Sequence, residues 1–276
     1  MDQGASEIDA SKKEELQDFL YKYWPDTIEI VNGLKLGKEF TAKIFTDNGW
    51  PDVKTVILIY NEGSVTFFFP FGTDNPKTAS ILKSVVDSNL EDGQEPSIHG
   101  TEEFILELKK VMGFQILAPP IFRYTYTIAK DINSDKMLEK RPLPERYKID
   151  SIQFSDIKFV ASKWGEGGDI AQPFINNLVT NYPSVAIYDT STEPAQPVSW
   201  IVSTAVGILY HLFTVEEHRG KGLATIVIQE QTCKILAKGL TPFCYIYADN
   251  VKSQGLFEKC GYVNNKLHLS YTHLDY

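Results

Sequence analysis

His211-Leu212-Phe213-Thr214-Val215-Glu216-Glu217-His218-Arg219-Gly220-Lys221-Gly222-Leu223-Ala224 is the stretch that decides how this 276-residue chain reads. A strand-like apolar run ends near Val215, a polar loop crosses 216–221, and an amphipathic helix begins at Gly222. Gly220 and Gly222 carry no side chain where the backbone must turn and approach a ligand. The N–H groups of Gly220, Lys221, Gly222, Leu223 and Ala224 then converge at a helix N-terminus. Its first amides lack intrahelical partners, and its dipole favours negative charge. Two closely joined negative charges, as in a pyrophosphate, suit such a nest. Arg219 and Lys221 add positive charge at the rim or stand as solvated loop residues. The same pattern also describes a plain strand–turn–helix connection with ordinary turn glycines. At the first turn of a helix, Gly222 is expected to accept valine without loss of the fold.

Working outward from this stretch, the helix runs over 222–237, followed by a strand at 243–248, a short helix at 251–259 and a last strand at 265–272. Before it come strands at 205–213, 200–203 and 184–188, helices at 170–181 and 155–164, and a strand at 147–153. This is a mixed α/β (α+β) sheet with helices on both faces. Residues 131–144, polar, charged and carrying Pro142 and Pro144, read as a linker between domains at 1–140 and 146–276. In the first domain Ser11 caps a helix over 12–23, with Glu14 completing a capping box. Leu16, Phe19, Leu20 and Tyr23 form its apolar stripe, and Pro25 helps to stop it. Strands follow at 40–45, 55–59, 64–69 and 123–128. Asp74 or Asn75 caps a helix to about residue 90 with Pro76 at its start, and 101–111 is a third helix stopped by Gly113. The two halves share a loose helix–hairpin–helix order, as a duplication would leave.

The formal net charge is -9, and residues 1–145 hold 16 basic against 24 acidic residues, while 146–276 hold 11 against 12. Such a surface repels nucleic acid and offers no basic run to bind it. An anionic ligand must therefore be held by local backbone dipoles. No apolar stretch is long enough to span a bilayer, so no membrane partner is expected. The start of the chain has neither a basic n-region nor an apolar h-region, which points to the cytoplasm. Cys233, Cys244 and Cys260 form neither a disulfide framework nor a zinc pattern, and no metal is expected. Trp-Pro-Asp at 24–26 and 50–52 resembles a phosphatase loop but lacks a Cys-x5-Arg cradle, so these are turn residues with packed indoles. The glycines at Gly165, Gly167 and Gly168 follow a helix rather than a strand, which removes the context of a dinucleotide site.

Arg219-x-x-Gly222-x-Ala224 matches the acetyl-coenzyme A signature of the GNAT superfamily, Arg/Gln-x-x-Gly-x-Gly/Ala. Asn250 and the run Leu256-Phe257-Glu258-Lys259-Cys260-Gly261-Tyr262 resemble that superfamily's last helix and its Gly-aromatic stop. Over most of its length the chain resembles the glycine N-acyltransferase family. The matching pieces are Trp50-Pro51-Asp52, Trp164 with Gly167-Gly168, Phe174-Ile175 before Tyr182-Pro183, and Pro197-Val198-Ser199-Trp200, in family order before the Arg219 motif.

The resemblance implies a GNAT acyl-CoA N-acyltransferase fold in two GNAT-like halves, the N-terminal copy being degenerate. It implies acyl-CoA or acetyl-CoA as co-substrate and transfer of the acyl group to the amine of glycine or another small acceptor. A location in the mitochondrial matrix is also compatible with it. The alternative is a non-catalytic acyl-CoA-binding or interaction protein. Carried over, Phe213, Thr214 and Val215 would offer backbone groups to the pantetheine arm, as an added strand does. Arg219, Gly220, Lys221, Gly222, Leu223 and Ala224 would cradle the pyrophosphate. Asn250 and Ser253 would bond the arm, or Asn250 would simply cap its helix. Trp164 and Trp200 read first as core or pocket wall.

Aminolysis of a thioester needs a neutral amine, a route for its proton and stabilisation of the developing oxyanion. The position of the family's glutamate base falls on Ile208, and that of the superfamily's tyrosine acid on Phe257. Neither residue carries proton chemistry. Candidate substitutes are Tyr210, on the Ile208 face but with a phenol pKa near 10, and His211. The imidazole of His211 faces the opposite side unless a bulge intervenes. An acceptor that loses its proton to water needs no enzymic base. His218 lies beside the loop and is a candidate for its rim.

Overall fold

Continuous apolar runs such as Thr-Val-Ile-Leu-Ile-Tyr at 55–60 and alternating ones such as Val-Ser-Trp-Ile-Val at 198–202 become buried strands. In a computed structural model, which describes residues 4–36, 42–47, 50–113, 121–126, 142–165 and 168–273, they fall into two compact units. One comprises Met1–Arg123 with Asn265–Tyr276, and the other Tyr124–Asn264. The contact boundary thus lies at Tyr124 and is crossed again at Asn265, whereas most of the linker read at 131–144 lies outside the described residues. Among the described residues no helix is long and apolar enough to cross a membrane, and no cluster of ligating side chains could hold a metal ion.

The first unit contains β1 (Ala5–Glu7), α1 (Lys13–Tyr21), α2 (Ile28–Leu34), β2 (Lys43–Asp47), β3 (Thr55–Glu62) and β4 (Val65–Gly72). These are followed by α3 (Asn75–Asn89), β5 (Glu95–Thr101) and α4 (Glu102–Met112). Its sheet runs β1-β2-β3-β4-β5, and the end of β12 (Tyr262–His273) pairs antiparallel with β5 from Leu269 to His273. Helices α3 and α4 pack Leu82, Val86, Ile105 and Leu108 onto Ile57, Phe68 and Ile98. Asp74 caps α3 by accepting the Lys77 N–H at 3.1 Å, and Gly113 ends α4 in the left-handed region.

Three features of this unit differ from the sequence reading. Asp9, not Ser11, caps the first helix, because its carboxylate accepts the Ser11 N–H at 2.8 Å; the Ser11–Glu14 capping box does not form. Helix α2 is unannounced by periodicity because every one of its residues is buried, including Glu29. The Glu29 carboxylate receives Nη1 of the buried Arg123 at 3.0 Å, and Asp26 receives Nη2 at 2.9 Å. Strand β5 contains Pro96 and Gly100, poor strand formers that its neighbours on both sides hold in place. Gly100 is required there, since a Cβ would lie 2.7 Å from the Phe104 ring.

The second unit begins in β6 (Ile121–Tyr126) and continues through β7 (Tyr147–Asp150), α5 (Ile157–Ser162), α6 (Ala171–Asn181), β8 (Ser184–Asp189) and β9 (Gln196–Ser203). It is completed by β10 (Ile208–Thr214), α7 (Leu223–Ala237), β11 (Phe243–Tyr247), α8 (Val251–Lys259) and the start of β12. Its strand order is β6-β11-β10-β9-β8-β7. The strand expected to start at residue 205 starts at Ile208. Gly207, at φ 85, closes a turn in which the Gly207 N–H bonds the Thr204 carbonyl at 3.1 Å. Helix α7 is tied to the sheet by the Gln231 side chain, whose Nε2 donates to the Pro183 carbonyl at 2.6 Å and to Ser203 Oγ at 2.8 Å.

The series β8-β9-β10-α7-β11-α8 repeats β2-β3-β4-α3-β5-α4, down to the 15-residue length of α3 and α7. The second half of the chain is thus a structural copy of the first. The two halves differ most at the junction between the third of these strands and the helix after it. Between β4 and α3 only two residues intervene, whereas between β10 and α7 lies the glycine-containing loop 215–222.

Candidate active site

Strand β10 is made by a run with no regular alternation, and the sheet around it is irregular for that reason. Tyr210 pairs with Val202 and Phe213 with Trp200, so His211 and Leu212 together oppose Ile201. This is a β-bulge. His211 takes φ 50, in the left-handed region. On its other edge β10 pairs in parallel with β11 only at Ile208–Phe243 and Leu209–Cys244. From His211 to Thr214 it continues without a partner in β11, whereas β4 and β5 stay paired from Val65–Glu95 to Phe68–Ile98. The opening beside β10 leaves this stretch without a strand on that edge, while the Phe213 and Thr214 carbonyls accept bonds from the side chains of Ser199 and Arg219.

The loop after β10 turns through Gly220 at φ 74 and Gly222 at φ 79. Helix α7 starts from this left-handed glycine with no side-chain cap and no acidic residue in its first turn. Among the described residues the N–H groups of Gly220, Lys221, Gly222, Leu223 and Ala224 meet no acceptor. A 15-residue helix whose positive end is left bare in this way offers unpaired donors and positive potential to an anion. In the first unit the corresponding end of α3 is closed by the Asp74 carboxylate, and a Cβ on Gly72 would meet Thr78 Oγ1 at 1.9 Å. Only the second copy keeps the cradle. The conformation of Gly222 also corrects the expectation that valine fits there, because a β-branched residue is strained at positive φ.

The charged side chains of the loop are engaged in holding it. Arg219 Nε donates to the Thr214 carbonyl at 3.0 Å with its guanidinium over the Phe213 ring, and Lys221 Nζ donates to the Glu217 carbonyl at 2.8 Å. His218 is anchored to the sheet: its Nδ1 lies 3.0 Å from the Tyr147 hydroxyl and its Nε2 3.8 Å from Asp189. Burial, reinforced by Lys221, pushes the His218 pKa down. Asp189 in turn holds Arg146 in a two-pronged pair, and that guanidinium keeps the carboxyl well below the usual range. Tyr147 and Asp189 escaped the sequence reading, since only the pairing of β7 with β8 brings them together. Ser199 was a further omission: its hydroxyl bonds the Phe213 carbonyl at 3.2 Å and Thr214 Oγ1 at 2.9 Å, bracing the strand end.

The two positions without proton chemistry are core residues. Ile208 is fully buried, and Phe257 packs edge-on against Tyr262 at 5.1 Å. Asn250 caps α8, its Oδ1 accepting the Ser253 N–H at 3.1 Å. Tyr210 and His211, consecutive in a strand, both contact the Trp164 ring at 5.9 Å. The bulge thus removes the alternation that would have set His211 on the face opposite Tyr210. Tyr210 also meets Phe174, while His211 lies 6.1 Å from Trp200, which stacks on Phe213. His211 Nε2 is 2.9 Å from the Val160 carbonyl of α5, and burial lowers its pKa.

A sheet that parts beside a bare helix start, in two copies of one α/β unit, is the GNAT fold. Among solved structures the chain superposes on a tandem GNAT protein from the clavulanic acid biosynthesis pathway with a TM-score of 0.54 at 8% identity, covering 98% of each chain. A Drosophila protein matches with a TM-score of 0.73 at 16% identity, over 99% of this chain and 98% of that one. Residues 184–269, which hold the cradle, match the family described as FR47-like protein. The chain as a whole is similar to a glycine N-acyltransferase of Mus musculus, 23% identical over 264 residues that cover 87% of this chain and 88% of the relative.

Proposed function

We propose that this protein is an acyl-CoA-dependent N-acyltransferase that moves the acyl group of a coenzyme A thioester to the amine of a small acceptor, glycine or another amino acid among them. The observation that carries this reading is the bare start of α7 beside the unpaired edge of β10. The amides from Gly220 to Ala224 would hold the pyrophosphate, and the backbone from Phe213 to Val215 would bind the pantetheine arm as a neighbouring strand. The arm then leads toward the bulge and its aromatic surroundings. When bound, the thioester supplies an activated carbonyl; the chain supplies orientation, a partly dry wall and a route for the proton. The similarity to a glycine N-acyltransferase supports the acceptor class, while Ile208 at the position of the family's base argues for an acceptor range of its own.

The test combines calorimetry of acetyl-CoA and longer acyl-CoA with thiol release over a panel of amines. Micromolar binding with amine-dependent thiol release is expected, and absence of binding at millimolar ligand would overturn the proposal. A second reading, a binder without catalysis, is favoured by the buried, apolar Ile208 and Phe257. Tight binding with no amine dependence would select it.

A further inference from the structure

Among the described residues His211 is the one non-glycine residue at positive φ. Such a conformation persists only where its surroundings enforce it, and it is concentrated at functional sites. Here it turns the imidazole out of the strand's alternation and toward α5. Nε2 faces the Val160 carbonyl at 2.9 Å. A carbonyl only accepts, so Nε2 carries the hydrogen and the lone pair of the neutral ring lies on Nδ1. Among the described residues Nδ1 meets no hydrogen-bond partner.

The surroundings suit a base. The Trp164 and Trp200 rings flank the imidazole. Burial lowers its pKa against the opposing pull of the Val160 carbonyl, keeping the ring neutral to lower pH. The position along the strand also fits. At about 3.3 Å per residue the three steps from Thr214 back to His211 span roughly 10 Å, so an arm laid along the strand from the nest would run toward His211.

We propose that His211 is the general base of this acyl transfer, accepting the proton of the acceptor amine on Nδ1 while Val160 holds the ring through Nε2. The assignment rests on the acyltransferase reading. The amine nitrogen bonds to the thioester carbonyl carbon and the carbon–sulfur bond breaks. The proton leaves nitrogen for Nδ1 and ends on the departing sulfur, so amide and free thiol form and the imidazole is neutral again. Val160 is a positioning residue, acting through its backbone alone.

The experiment uses the full chain, acetyl-CoA and the best amine of the panel. His211→Asn keeps a side chain that tolerates the left-handed region, and His211→Gly opens space for added imidazole. The expected result is a fall in kcat of roughly 10²–10⁴-fold in His211→Asn with unchanged calorimetric affinity for coenzyme A. Wild-type kcat/KM should fall with acidification through a pKa below 6.5, a limb the variant lacks, and imidazole should restore part of the rate in His211→Gly. Near-wild-type turnover in His211→Asn would overturn the assignment, as would a loss matched by weaker coenzyme A binding without imidazole rescue. Absence of amine-dependent turnover in the wild type would instead overturn the acyltransferase reading and the assignment with it.

Discussion

Replacing Ala224 by glutamate separates the anion cradle from the fold that carries it, because the two should respond in opposite directions. Ala224 lies in the first turn of α7, whose N-terminus has neither cap nor acidic residue. A carboxylate there complements the helix dipole and should stabilise the unit by roughly 0.3–1 kcal/mol. The same carboxylate would stand beside a bound pyrophosphate. At a separation of about 6 Å and an effective dielectric constant near 20, each pair of like charges costs about 3 kcal/mol before screening. With part of this lost to salt, coenzyme A affinity should still fall by at least about tenfold. Lys221→Ala is the control, since that ammonium is exposed and bonded to the Glu217 carbonyl; its loss should weaken binding less, and less again at high salt. The assay is calorimetric titration with coenzyme A beside a thermal melt of each variant. If Ala224→Glu melts no lower than wild type and binds coenzyme A equally well, no phosphate sits at the start of α7 and the reasoning fails.

Further outcomes follow from other parts of the structure. Gly222→Val should destabilise the second unit by roughly 1–2 kcal/mol because of its positive φ, whereas Gly222→Asn should melt close to wild type; equal melting of the two would contradict the left-handed turn. Asp189 has a folded pKa below its unfolded one, held there first by Arg146, so its contribution to stability is present above about pH 4 and is lost as pH falls toward the folded value. Asp189→Asn should accordingly lower the melting temperature at neutral pH and flatten its acid dependence, as a melt series across pH would show. Arg123→Ala, which leaves the buried Glu29 carboxylate without that guanidinium, should cost the first unit roughly 3–5 kcal/mol in denaturant unfolding.

The sequence by itself determined the glycine turn into α7 and most of the elements that frame it. Glycines at 220 and 222 between a strand pattern and an apolar-faced helix are local signals, and local geometry suffices to put five amides at one helix end. Strand and helix patterns at 55–69, 75–90 and 222–259 were legible for the same reason: their periodicities are properties of consecutive residues. What escaped depends on residues far apart in the chain. Helix α2 has no polar face to betray it, and β5 holds Pro96 and Gly100 in a strand only because β4 and β12 flank it. Tyr147 and Asp189 meet His218 through sheet register and loop geometry. The bulge was the decisive case. Alternation assigns His211 and Tyr210 to opposite faces, and only the two-against-one pairing with Ile201 brings both to Trp164 and turns one imidazole nitrogen onto Val160. A chain's own residues set its local conformational preferences, but the free energy that holds a side chain at positive φ comes from the neighbours packed around it.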